Sequence, residues 1–141
     1  MAGRGRLPLP CSVKLRGCLA FLAWSTDDAL VGFVELRLDS GVGRMRLSYW
    51  VRSGCRRQGY GAEAVGAITR YAFEALDARV VTVGHAAPNA ASAALIVRLG
   101  FERIALQPSG YQMPDGTLVD GIGYAMSDPS ALPALDVSWG T

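Results

Sequence analysis

Between Tyr49 and Ala62 the chain reads Y-W-V-R-S-G-C-R-R-Q-G-Y-G-A: Arg52, Arg56 and Arg57 precede two glycines, Gly59 and Gly61, that lead into a helix-forming stretch. Arginine supplies a planar, permanently charged fork of donors, and glycine lets backbone N–H groups approach a ligand closely. A helix start adds unpaired amides and a partial positive charge, so the combination suits phosphate oxygens. A P-loop is excluded, because G-x-x-x-x-G-K-[ST] is absent and no lysine is near. The run from Gly59 to Ala64 does fit G-x-G-x-x-A, the dinucleotide fingerprint. Against that reading, the preceding strand ends at Val51, eight residues early. The next strand ends in Gly84 and His85, where a ribose-binding acid would stand. A dinucleotide-binding protein therefore stays a subordinate alternative.

Other chemistries are removed by what the chain lacks. Cys11, Cys18 and Cys55 have no C-x-x-C spacing and His85 is the only histidine, so neither a structural zinc site nor any other metal is expected. No G-x-S-x-G elbow exists for a serine hydrolase built on His85. An odd thiol set without secretory features points to a reducing compartment, and a cytoplasmic location is the expectation. Gly17–Trp24 is too short to span a membrane. A net charge of +2 does not demand a nucleic-acid partner. Arginines dominate the basic set, Lys14 being the sole lysine. Arg44, Arg46, Arg52, Arg56 and Arg57 fall in one stretch free of acids, which makes the middle of the chain its anion-facing part.

The elements that must position these groups follow from periodicity. A chain of 141 residues that is 50% apolar forms a single domain with an adequate core. Residues 1–16, broken by Gly3, Gly5, Pro8 and Pro10, read as a flexible arm. Cys18–Trp24, Leu30–Leu38 and Met45–Val51 are apolar runs separated by turn clusters, the pattern of an antiparallel meander. Within the second, Val31, Phe33, Glu35 and Arg37 share one face. Val65, Ile68, Ala72 and Leu76 recur at helical spacing over Gly61–Leu76. Arg79–Gly84 is a short buried strand. Asn89 can cap a second helix that Gly100 ends in the left-handed conformation. Phe101–Leu106 and Thr117–Met126 are the last strands, joined by the turn-rich stretch Gln107–Gly116. The fold class is α/β (α+β): a mixed, mostly antiparallel sheet of about six strands with helices on its faces. The domain spans 17–128, followed by a tail, 129–141, that folds back on the body or serves in a subunit contact.

With those positions fixed, Arg56-Arg57-Gln58-Gly59-Tyr60-Gly61 resembles the R/Q-x-x-G-x-G/A acyl-CoA motif of the GNAT acetyltransferase superfamily. Asn89-Ala90-Ala91-Ser92 and Leu99-Gly100-Phe101 resemble the N-x-x-S…L-G-F signature of its ribosomal-protein N-terminal acetyltransferase branch (RimJ/RimL-like). Asp120 and Tyr124 stand where that branch often ends in an Asp and a Tyr. The match covers about residues 29–127. The resemblance implies an acyl-CoA-dependent N-acetyltransferase that moves an acetyl group from acetyl-CoA to a primary amine by direct attack. The acceptor would be a peptide N-terminus or a small amine. Amides from Arg57 through Gln58, Gly59, Tyr60 and Gly61 to Ala62 would hold the pyrophosphate, with Arg56 and Arg57 adding charge. The strand end at Tyr49, Trp50 and Val51 would pair with the pantetheine arm. That strand would splay from Arg79–Gly84 to leave a slot for the thioester, with donors near Trp50 steadying the oxyanion. Asn89 and Ser92 would complete the cofactor site, Ser92 hydrogen-bonding the departing sulfur.

The base is the least defined part. Relatives often place a glutamate near the later strands, where this chain offers only Gln112, Asp115 and Asp120. Glu35 is preferred over His85 because Val31 and Phe33 on its face suggest shelter from solvent. Plainer readings stand beside these: Asn89 and Ser92 as a helix cap, Glu35 with Arg37 as a solvated ion pair, His85 as an idle loop histidine. No tyrosine lies on the Ser92 helix, which keeps an acyl-CoA-binding module without turnover as an alternative. The family usually places a strand and two helices before the meander, covering the acceptor side. Here about thirty residues precede Val31, so the acceptor half reads as cut back, or as completed by a second subunit in a homodimer.

Overall fold

The computed structural model describes residues 13–15, 18–24, 30–39, 42–52 and 59–132. They form one seven-stranded sheet with two helices, in the order β1 (Val13–Leu15), β2 (Cys18–Trp24), β3 (Leu30–Leu38), β4 (Arg44–Val51), α1 (Tyr60–Ala75), β5 (Val80–Ala86), α2 (Ala90–Arg98), β6 (Glu102–Gln112) and β7 (Leu118–Met126). The strands lie side by side as β1-β2-β3-β4-β5-β7-β6. All neighbours are antiparallel except β4 and β5, the pair that α1 connects. This is the mixed, mostly antiparallel sheet expected, with one strand added. The last residues of the expected arm, Val13–Leu15, pair with Cys18–Ala20, because beyond Pro10 the chain regains an apolar–polar–apolar alternation.

The helices share one face of the sheet. Val34 and Leu36 of β3, Leu47 of β4 and Val81 of β5 meet Val65 and Ile68 of α1 and Ile96 of α2 in a single core. Gly66, inside α1, weakens the helix by about 1 kcal/mol relative to alanine. Burial of Val65 and Ile68, worth roughly 1.5–3 kcal/mol apiece, outweighs that penalty.

Turn chemistry works as its residues dictate at α2. Asn89 Oδ1 accepts from the Ser92 amide at 3.1 Å. At the other end Gly100 takes φ +98, with Gly100 N–H bonded to the Val97 carbonyl and Phe101 N–H to that of Ile96, the paired closure of a Schellman motif. The stretch after Leu106 departs from expectation. β6 runs on to Gln112, because Pro108-Ser109-Gly110 forms an irregularity within the strand: Ser109 sits at φ 52 and its amide donates to Asp120 Oδ1 at 3.1 Å. Pairing then resumes at Tyr111 with Val119, and only Met113–Thr117 turns. The first residues of the expected tail pack on the body: Pro129–Ala131 form a 3-10 turn, and Leu132 is buried in the core.

Candidate active site

The β4–β5 pairing begins at Arg44 with Val80 and stops at Leu47 with Val83. Both strands continue. β4 remains paired to β3 as far as Val51 with Gly32, and β5 to β7 as far as Ala86 with Gly121. Ser48–Val51 and Gly84–Ala86 therefore diverge, leaving a slot whose facing backbone edges make no bonds to each other. Buried main-chain groups need partners, so such a slot selects an extended ligand carrying amides of its own.

The start of α1 stands at the open end of β4. Gly59 is its N-cap at φ 82, a left-handed conformation that side chains rarely adopt, and it offers no capping side chain. Its carbonyl accepts the Glu63 amide, so the amides of Tyr60, Gly61 and Ala62 precede the first intrahelical bond. A Cβ on Gly61 would lie 2.8 Å from Leu95 Cδ1 and 3.2 Å from Val51 Cγ2, so glycine lets this helix start close on both α2 and β4. Beside it, a small apolar cleft lies between the ends of β3 and β4 and α1, lined by residues that include Gly32, Tyr49, Trp50 and Tyr60. The Trp50 carbonyl leans over Gly32 so closely that no side chain fits there. Arg56, Arg57 and Gln58 lie outside the described residues.

Three tyrosines and the histidine gather around the slot. Tyr49 Oη on β4 donates to Ser92 Oγ at 2.8 Å, joining β4 to the first turn of α2. Burial is the largest of the effects that push the Tyr49 phenol above its ordinary pKa, and neighbouring Tyr111 and Tyr124 add to it. Tyr111 reaches from β6 across Gly121, its hydroxyl 3.1 Å from where a Gly84 Cβ would stand. His85 is not on a loop: β5 extends through Ala86, and His85 is buried on the same side as Val81 and Val83. Its Nδ1 donates to the Ala86 carbonyl at 2.7 Å, which leaves Nε2 to accept from Tyr124 Oη at 3.0 Å. The alternation Val81, Val83, His85 carries this placement in the sequence; taking Gly84 as the strand end conceals it.

Glu35 lies on the opposite face of the sheet from Ser92. Its carboxylate accepts from Arg37 Nη2 at 2.8 Å, and it sits across from Ser48, the first residue of β4 beyond the shared pairing. Its side chain is 23% exposed, but the cover does not come from Val31 as expected. The β2–β3 pairing shifts register opposite Val31, and Val31 packs with Val51, Tyr60 and Ala64 on the helix side instead. Phe33 is 37% exposed, tilted against Trp50 with ring centroids 6.3 Å apart. Cys18 neighbours the same carboxylate; partial burial first, then Glu35, raises its thiol pKa, which makes it a poor nucleophile. Asp120 serves the β6 irregularity and Asp115 caps the Thr117 amide, so neither points to the slot. Among the described residues no group of His, Cys, Asp and Glu could hold a metal, and no helix is long and apolar enough to cross a membrane.

A sheet opened between its one parallel pair, with an uncapped helix start beside the opening, matches a known class. Residues 12–102 match the family described as "Acetyltransferase (GNAT) domain", and the chain belongs to that family. A search of curated proteins gave no match. Among solved structures, one assigned provisionally as an acetyltransferase superposes with a TM-score of 0.75 at 23% identity, over 82% of this chain and 64% of its own. A second, from Vibrio cholerae and assigned provisionally as a ribosomal-protein-serine acetyltransferase, gives 0.69 at 27% identity, over 79% and 64%. A spermidine N-acetyltransferase variant from the same organism gives 0.74 at 15% identity, over 83% and 69%, a likeness of fold. The chain thus spans about 64% of the length of the first two structures.

Proposed function

We propose that this protein transfers an acetyl group from acetyl-CoA to a primary amine. The observation that carries the reading is the β4–β5 slot, closed at Leu47 and Val83 and flanked by the Tyr49–Ser92 hydroxyl pair. Pantetheine would enter as an extra strand, satisfying the free edges of Ser48–Val51 and Gly84–Ala86. The amides of Tyr60, Gly61 and Ala62 would take the pyrophosphate at the positive end of α1, with Arg56, Arg57 and Gln58 of the preceding loop contributing. In this reading residues 17–128 carry the transfer.

The amine attacks the thioester carbonyl, forming the N–C bond, and the C–S electron pair departs on sulfur. Ser92, at the start of α2, stabilises that sulfur by hydrogen bonding, and the helix start favours the thiolate. The amine arrives from the other face, where Glu35, one strand away from the slot and bonded to Arg37, accepts its proton. The acceptor is a peptide N-terminus or a small amine, and the protein works in the cytoplasm as a monomer or a homodimer.

The sheet favours this over a dinucleotide site, since one parallel pair among antiparallel strands is not the doubly wound parallel sheet that such a site uses. Calorimetry should register binding of CoA and none of NAD. Thiol release from acetyl-CoA should then depend on the amine supplied from a panel of peptides and polyamines. CoA binding without release under any amine would replace the enzyme with an acyl-CoA-binding module.

A further inference from the structure

We infer that Tyr49 is a positioning residue: its phenol fixes the direction in which Ser92 donates, aiming the serine proton at the departing sulfur. The inference rests on the acetyl-transfer reading above and goes beyond it, because that reading takes the Tyr49–Ser92 pair as a landmark of the slot and gives the phenol no part in the transfer.

Two hydroxyls 2.8 Å apart share one hydrogen, and the phenol is the stronger donor, so Tyr49 gives and Ser92 Oγ receives. The half-buried phenol holds its proton against ionisation, because the slot desolvates it. The serine amide is already committed to Asn89 Oδ1. A serine in the first turn of a helix can turn its O–H back on a preceding carbonyl, yet no such bond exists among the described residues. With its acceptor side engaged by Tyr49 and its amide by Asn89, Ser92 has one free polar hydrogen. During transfer the C–S electron pair goes to sulfur, the Ser92 O–H donates to it without surrendering its proton, and the amine's proton leaves to the base. Removing the phenol hydroxyl frees Ser92 to rotate and to donate elsewhere.

The test is a double-mutant cycle of Tyr49→Phe and Ser92→Ala, read first in steady-state thiol release. Phenylalanine keeps the ring and its packing. Tyr49→Phe is expected to lower kcat about tenfold, the scale of one oriented hydrogen bond, with the KM for acetyl-CoA within about twofold of wild type. In the Ser92→Ala background it should cost nothing more, because a residue that acts through Ser92 has nothing left to orient. Multiplying effects, or an unchanged kcat in Tyr49→Phe, would overturn the inference. A second readout needs no turnover: the thiolate absorbance of enzyme-bound CoA titrated against pH. Tyr49→Phe and Ser92→Ala should each shift the bound thiol to higher pKa, by about one unit for a tenfold effect. An unshifted titration in Tyr49→Phe refutes the orienting role even if the protein acetylates no amine. A wild-type protein that binds CoA but releases no thiol overturns the transfer reading alone.

Discussion

Leu47 and Val83 are the last partners that β4 and β5 share, and the slot above them exists because each strand keeps its other neighbour for several residues more. The divergence is built by the flanking pairs, Val51 with Gly32 on one side and Ala86 with Gly121 on the other. A ligand can therefore fill it without unfolding either strand. If pantetheine pairs there, CoA should slow amide hydrogen exchange within Ser48–Val51 and Gly84–Ala86 while leaving Arg44–Leu47, already paired on both sides, unchanged. Protection spread evenly over β4, or absent from the slot, would place the cofactor elsewhere.

Asn89 sets both the start of α2 and the setting of Ser92, because its side chain accepts the Ser92 amide. Asn89→Ala should cost about 0.5–2 kcal/mol in denaturant unfolding, as for other lost caps. It should also lower kcat more than it raises the KM for acetyl-CoA. Asn89→Asp keeps an acceptor and adds charge of the favourable sign at a helix start, so it should recover the stability. Failure of aspartate to recover what alanine loses would show that Asn89 acts by something other than capping.

His85 and Tyr124 depend on each other inside the core. The ring nitrogen Nε2 has the Tyr124 phenol as its donor, and both residues are almost wholly buried, at 4% exposure each. Tyr124→Phe leaves a buried acceptor unsatisfied and should destabilise the fold by about 1–3 kcal/mol. Pairing it with His85→Leu should give a loss smaller than the sum of the two single changes, since the double variant leaves no orphaned group. Additive losses in urea unfolding would rule out that dependence.

The sheet, both helices and the caps of α2 were legible because each is written locally: Val65, Ile68 and Ala72 mark a helical stripe, and Asn89 and Gly100 mark its neighbour's ends. What stayed hidden depends on contacts distant in sequence. Ser92 and Tyr49 are 43 residues apart, and the phenol that the Ser92 helix lacks arrives from a strand instead. The register shift opposite Val31 moves that residue to the other face, so the partial cover of Glu35 comes from elsewhere. No spacing rule announces it, since strict alternation is what the sequence displays. β6 outran its expected end for a similar reason: Pro108, Ser109 and Gly110 are turn residues by type, yet the pairing of Tyr111 with Val119 makes them an interruption within a strand.

Tyr49 also makes the stability of the fold fall at alkaline pH. Its phenol has a raised pKa in the folded protein, burial being the largest cause, so the folded state keeps the proton at pH values where an unfolded chain has begun to lose it. Below about pH 10, the ordinary tyrosine value, both states are protonated and the contribution is complete. Above it the unfolded state ionises first and binds fewer protons than the folded state, so stability falls as pH rises towards and through the folded pKa. Tyr49→Phe removes this one titration and leaves the other tyrosines in place. Urea unfolding from neutral pH to about pH 11 should therefore show a shallower alkaline decline in the variant, by up to one proton per molecule in slope. Parallel curves for the two proteins would mean that the phenol ionises alike in both states and that the slot does not desolvate it.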